Sequence, residues 1–381
     1  PVGRRRGFGR RNRGIPEQGK RLNVPSKAHA KVQYLRPMER TEISDLGEFG
    51  LIRRLTKDWP THQPSTLRGV GDDAAVLDPG GQRMVMSTDM LCEGVHFDLS
   101  YAPLKHLGYK AVVVNLSDVC AMNAKPTQVV VGLGLSNRFS VEAVEELYAG
   151  IRLACDVYQV DLVGGDTTSS PAGLTLGITA VGLASNDAIV GRDGARDGDL
   201  LVVSGDLGAA YMGLQILERE KTVFQAAPTA QPELDDFAYL LERQLKPEAR
   251  VDVVRELADL SLKPTSMIDI SDGLASEVFH LGTASGLGFK VYEDKLPIDP
   301  KVYETAREFN LDPTLCMLSG GEDYELLFTI AQDDFEKVRN HPKLSVIGHA
   351  VAAPDAFTLV TKNGPEVPLQ AQGWDGLKAT T

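Results

Sequence analysis

The stretch LGYKAVVVNLSDVCAMNAKPTQVVVGLGL, residues 107–135, decides the fold. Residues 107–122 are small and apolar for most of their length, a run too long for one strand, and read as a helix. Residues 129–135 (VVVGLGL) are short, β-branched and free of charge, which is the composition of a buried strand. A buried helix feeding a buried strand points to an α/β or α+β domain, and the flanking sequence repeats the pattern. Downstream, Ser140 is placed to cap a helix whose Val141, Val144, Leu147, Ile151 and Cys155 share one face. DLVGGD (161–166), LTLGITAVGLA (174–184) and DLLVVSG (199–205) read as further strands. Upstream, Leu46, Phe49, Ile52 and Leu55 fall at helical spacing, and MVMSTDM (84–90) reads as a strand after the Gly80-Gly81 turn.

The turn-rich, charged stretch 185–198 divides the chain. Beyond it the pattern predicts helices near 206–220 and 250–260, a strand-to-helix passage over 267–285 and a strand over 324–330. Residues 221–246 read as an insertion or linker. The organisation expected is therefore an N-terminal α/β domain over 38–185 and a C-terminal one over 186–381. A length of 381 residues suits two such domains, and 43% hydrophobic with 24% charged residues is ordinary for a globular chain. There is no apolar run of the length a membrane helix needs. The four cysteines are scattered without a C-x-x-C pair, which fits a reducing, cytoplasmic setting better than a zinc ribbon or a disulfide framework.

The net charge of −12 hides an asymmetry. Residues 1–37 carry eleven basic residues against the single acid Glu17, so the body that follows is far more acidic than the total suggests. An acidic body is a poor partner for nucleic acid. Three readings of the basic segment stand: a transit peptide, a nucleic-acid-binding tail, or a disordered or non-native extension ahead of Met38.

Phosphate-loop, dinucleotide-fold, zinc-protease and nucleophile-elbow signatures are all missing. Instead, acidic residues recur at strand ends and in glycine turns: Asp72-Asp73, Ser87-Thr88-Asp89, Asn115-Leu116-Ser117-Asp118, Gly164-Gly165-Asp166, Asp269-Ile270-Ser271-Asp272 and Gly320-Gly321-Glu322-Asp323. One Asp before a Gly is ordinary turn chemistry. Six such motifs in one chain would repel one another unless cations lay between them. Carboxylate and hydroxyl oxygens are hard ligands that suit Mg²⁺ shared with substrate phosphates.

In these motifs the chain resembles the thiamine-monophosphate kinase family, of the superfamily that includes aminoimidazole ribonucleotide synthetase and selenophosphate synthetase. GEFGLI, GVGDDAAVL, STDMLCEGVHF, YKAVVVNLSDVCAMNAKP, VGGDTT, IDISDGLASE and LSGGEDYELLF occur in the family's order between Glu48 and Trp374. The resemblance implies a two-domain aminoimidazole-ribonucleotide-synthetase-like fold, with the N-terminal sheets of a homodimer pairing into a barrel. It implies phosphorylation of thiamine monophosphate to thiamine diphosphate, with ATP as co-substrate, several Mg²⁺ ions and direct in-line transfer. Carried over by motif, Asp73, Ser87, Thr88, Asp89, Asp118, Asp166, Asp269 and Asp272 resemble the metal shell. Tyr148, Gly165, Asp166, Arg192 and Ser271 match ATP-binding positions, and His96, Glu322 and Trp374 match substrate contacts. Segment 1–37 has no counterpart, which favours the extension reading. Another ATP-using superfamily member, a Mg²⁺-dependent phosphohydrolase and a non-catalytic metal-binding protein are the competing functions.

Overall fold

The computed structural model describes Thr41, Leu46, Leu51 and residues 53–68, 76–229, 232 and 234–370. By contacts the chain divides into Pro1–Glu39, outside the described residues, and Arg40–Thr381, to which everything below belongs.

A short antiparallel ribbon, β1 (Thr66–Arg68) with β2 (Val76–Leu77), leads into a four-stranded sheet. That sheet is formed by β3 (Arg83–Cys92), β4 (Lys125–Leu135), β5 (Asp161–Ser169) and β6 (Leu174–Ala184) in the order β3-β6-β4-β5. β4 and β5 run parallel; the other pairs are antiparallel. Helices α1 (Leu104–Ala121) and α2 (Val141–Tyr158) pack together, and α1 covers one face of the sheet. Their crossing is set by glycine. A Cβ on Gly108 would sit 2.0 Å from the Leu147 carbonyl oxygen, and one on Gly150 would sit 1.9 Å from that of Lys105. Ser140 caps α2, its Oγ accepting from the Ala143 N–H at 3.3 Å.

The second half builds on a seven-stranded sheet. Its strands are β7 (Leu200–Ser204), β8 (Ser266–Asp269), β9 (Gly288–Tyr292), β10 (Leu326–Ile330), β11 (Leu344–Val351), β12 (Phe357–Val360) and β13 (Glu366–Pro368). They stand in the order β13-β12-β9-β11-β7-β10-β8, antiparallel except for β12 beside β9. Around them lie α3 (Ala209–Ala226), α4 (Ala238–Leu245), α5 (Val251–Asp259), α6 (Leu274–Ser285), α7 (Pro300–Glu308) and α8 (Pro313–Ser319). Helix α1 is central: it also touches β8, β10, α4 and α5. That explains why almost its whole circumference is buried.

Segment 221–246 is not a linker. α3 runs through to Ala226 and α4 returns against it, with Gly213 so close that a Cβ there would lie 2.1 Å from the Leu240 carbonyl oxygen. The sequence looks hydrophilic because the buried groups of α4 include Gln244 as well as Leu240. Among the described residues no helix is long and apolar enough to cross a membrane.

Candidate active site

A cavity of about 740 Å³ opens where the two halves meet. Strand β3 and the loop after it contribute Asp89 and His96, α1 contributes Lys110 and Asp118, and the end of β8 contributes Asp269, Ser271 and Asp272. The loop between α8 and β10 contributes Glu322 and Tyr324, and α4 contributes Gln244. Of the residues picked out from sequence, Asp89, His96, Asp118, Asp269, Ser271, Asp272 and Glu322 thus face one space.

The acidic end is wired by neutral donors. Ser87 Oγ donates to Asp118 at 2.5 Å, and Ser117 Oγ donates to Asp269 at 2.6 Å. The Asp89 N–H donates to Asn115 Oδ1 at 2.8 Å, and Asn115 Nδ2 donates in turn to the Ala111 carbonyl at 2.9 Å. Burial, then the charge of Asp118, pushes Asp89 up to about 6 and Asp269 up to about 7. Burial also raises Asp118, although Ser87 and the nearby charge of Arg192 oppose the shift. Behind them, burial lifts Glu277 to about 7 while its Oε1 accepts from the Asp272 N–H at 3.0 Å.

This donor set fits Mg²⁺ in a particular way. Among the described residues no three His, Cys, Asp or Glu side chains converge closely enough to hold a metal alone. Mg²⁺ is commonly held by one or two carboxylates with the remaining positions taken by water and substrate phosphates. Asp89, Asp118 and Asp269, each raised by burial, supply that partial set.

At the other end the chain takes an unusual path. Glu322 (φ +65°) and Tyr324 (φ +53°) both lie in the left-handed region, a conformation that costs a non-glycine residue about 1–3 kcal/mol. The loop is pinned to the end of β8: the Glu322 N–H donates to the Ser271 carbonyl at 2.7 Å and the Tyr324 N–H to that of Ile270 at 2.8 Å. Asp323 is buried beneath, accepting from the Gly208 N–H at 2.8 Å. Glu325 pairs with Arg243 at 3.0 Å and Arg250 at 3.2 Å. The Glu322 carboxylate is thereby aimed at Lys110, 3.0 Å away, and at Gln244 Nε2, 2.7 Å away. Lys110 and Gln244 were not singled out from sequence, because neither belongs to an acidic motif and their partner Glu322 lies far along the chain.

The other sequence candidates lie elsewhere. Thr88 points to the opposite face of β3 from Ser87 and Asp89; its Oγ1 donates to the Ile178 carbonyl at 3.0 Å. Strand alternation alone separates it from its neighbours. Gly165 packs on the backbone of Val131, where a Cβ would meet the carbonyl oxygen at 2.2 Å. Asp166 is exposed opposite Gly132 and does not line the cavity. Tyr148 is buried in the N-terminal core, edge-on to Trp59 with ring centroids 6.4 Å apart. Arg192 is exposed, near enough for its charge to act on Asp118 and Glu277. His96, which does line the cavity, accepts at Nδ1 from the Cys92 N–H at 3.0 Å. Asp73 and Trp374 lie outside the described residues.

Known proteins share this two-domain organisation. The model of the AIR synthase related protein N-terminal domain matches residues 71–184, and that of the C-terminal domain matches residues 196–360. The fold is that of an AIR synthase related protein. The thiamine-monophosphate kinase of Aquifex aeolicus is 35% identical over 75% of this chain and 87% of its own length, and that of Escherichia coli is 35% identical over 86% and 98%. The chain belongs to this thiamine-monophosphate kinase family. A solved structure of AaThiL complexed with AMPPCP and TMP has a TM-score of 0.67 and 31% identity, covering 87% of this chain and 97% of that one. Hydrogenase maturation protein HypE in complex with ATP, at 23% identity and a TM-score of 0.65, shares the fold.

Proposed function

We propose that the protein transfers the γ-phosphoryl group of ATP to the phosphate of thiamine monophosphate, giving thiamine diphosphate. The observation that carries this reading is one cavity with an acidic end at Asp89, Asp118 and Asp269 and a separately held carboxylate, Glu322, across from it. Support comes from relatives named thiamine-monophosphate kinase, one of them solved with AMPPCP, an ATP analogue, and TMP.

The acceptor phosphate is already ionised near neutral pH, so the transfer needs no general base from the chain. Mg²⁺, when bound, supplies charge neutralisation between two phosphate groups and helps align them for in-line attack. Asp89, Asp118, Asp269 and Asp272 are the residues that would hold it, with Ser87 and Ser117 fixing two of the carboxylates. Arg192 and Ser271 serve the nucleotide phosphates. Glu322 accepts a hydrogen bond from the acceptor's ring amino group, beside His96. The walls between the two ends include Leu107, Val114 and Phe97, which exclude water from the reacting phosphates. The γ-phosphoryl group passes directly, without a phosphoenzyme.

The protein acts as a homodimer in this reading. The outer face of β3 exposes Met84 (45%) and Met86 (72%), apolar surface that a second copy of the sheet would cover. All four cysteines are free thiols, which fits work in the cytoplasm. Purified protein, Mg²⁺, ATP and thiamine monophosphate should yield thiamine diphosphate on chromatography. ATP consumed with no diphosphate formed would replace the kinase reading with a phosphohydrolase.

A further inference from the structure

Helix α1 carries chemistry at both ends of the cavity. Lys110, Val114 and Asp118 lie at i, i+4 and i+8, one helical face, and all three line the cavity. Eight residues of α-helix separate Lys110 from Asp118 by about 12 Å along the axis. The Lys110 side chain is only 8% exposed, against 30% for Glu322. Its Nζ lies 3.0 Å from Glu322 Oε1 and donates to the Gln244 carbonyl at 2.9 Å. Gln244 Nε2 takes the other oxygen, Glu322 Oε2, at 2.7 Å. Each carboxylate oxygen thus has one donor from the chain and keeps acceptor capacity for a ligand N–H. A glutamate on a left-handed backbone after two glycines has no local reason to hold one rotamer; these two partners supply it.

We propose that Lys110 and Gln244 are positioning residues for the acceptor: Lys110 neutralises Glu322, the two together fix both of its oxygens, and the rigid helix that carries Lys110 sets its distance from the acidic end. The inference rests on the reading of Glu322 as the acceptor contact. Lys110 does not touch the reacting phosphates; it acts through Glu322. Gln244 lies on α4, in the segment that the sequence presents as a linker, which gives that segment a role in acceptor recognition.

Steady-state kinetics of the full chain test this, with KM measured for each substrate. Lys110→Met and Gln244→Leu should each raise KM for thiamine monophosphate by roughly 10- to 100-fold, the worth of an oriented charge-assisted hydrogen bond. KM for ATP should stay within about twofold, since only the acceptor end loses order. In a Glu322→Gln background, Lys110→Met should add almost nothing, because the residue it positions is already altered. Multiplying effects in that double variant, or parallel rises in both KM values, would make Lys110 merely structural and overturn the proposal. If Lys110→Met fails to fold, Gln244→Leu in the same two backgrounds decides between these outcomes. A Glu322→Gln variant with unchanged KM for thiamine monophosphate would remove the reading of Glu322 itself. A raised KM there, with normal values for Lys110→Met and Gln244→Leu, would remove the positioning role alone.

Discussion

Ser117 and Asp269, 152 residues apart, are joined by a hydrogen bond of 2.6 Å in which the serine hydroxyl donates to the buried carboxylate. The bond ties the central helix of the first half to the last residue of β8 in the second, so that two elements of the acidic end share one register. Ser117→Ala should cost about 1–3 kcal/mol in stability, the usual penalty for leaving a buried acceptor unpaired. Asp269 is already raised to about 7, and losing its donor raises it further. The loss measured by denaturant titration should therefore be larger at pH 8, where the carboxylate is charged, than at pH 5. An equal loss at both values would show that Asp269 does not depend on this donor.

A pH dependence follows from the cluster as a whole. Asp89 is raised from 3.8 to about 6, Asp269 from 3.8 to about 7 and Glu277 from 4.5 to about 7. Without metal the folded chain holds these protons more tightly than the unfolded chain does. Their contribution to stability is full below about pH 4 and is lost as pH rises through 6 to 7. Mg²⁺ competes with protons for the same oxygens. Thermal melts should show a Mg²⁺-dependent rise in Tm that is small at pH 5.5 and clearly larger at pH 8. The same rise at both pH values would place the metal elsewhere.

Asp89→Asn separates stability from activity. The native carboxylate is desolvated and pushed by Asp118, so neutralising it should leave the metal-free protein as stable as before or slightly more so. Turnover should fall by on the order of 10³-fold, since a ligand for transition-state charge is gone. A variant with normal turnover would end the assignment of Asp89 to the metal shell.

Much of this was legible in the sequence, for physical reasons that also explain the misses. The apolar run of α1 and the β-branched run in β4 are long enough to declare their elements. Of the six acidic motifs read as strand ends and glycine turns, those of Asp89, Asp118, Asp269, Asp272 and Glu322 meet at the cavity, although Asp118 sits inside α1 and Asp89 within β3 rather than at a strand end. Tyr148 sits on the same apolar helix face as Leu147 and Ile151 and packs there with them. Thr88 was separable from Ser87 by alternation alone. Lys110 and Gln244 were not legible, because 134 residues separate them and only the fold reveals that Lys110 donates to the Gln244 backbone carbonyl and that both reach Glu322. For the same reason α4 looked like a linker. Arg243 is charged and nearly buried because Glu325, far along the chain, neutralises it.

The two faces of β3 have opposite fates. Its odd-numbered residues Ser87, Asp89 and Leu91 face the helix layer and the cavity, whereas Met84 and Met86 face outward. If a second sheet covers that strip about a two-fold axis, each Met86 side chain lies in or beside an isologous contact. Met86→Lys then places two cations in one desolvated interface, which is costly without partners. Sedimentation should give the wild-type protein twice the chain mass of 41.2 kDa and the variant the mass of one chain. The variant's far-UV circular dichroism should be unchanged, since the substituted side chain is 72% exposed within the single chain. A wild-type protein that sediments at one chain mass, or a variant that still sediments at two, would show that the methionine face is not where two copies meet.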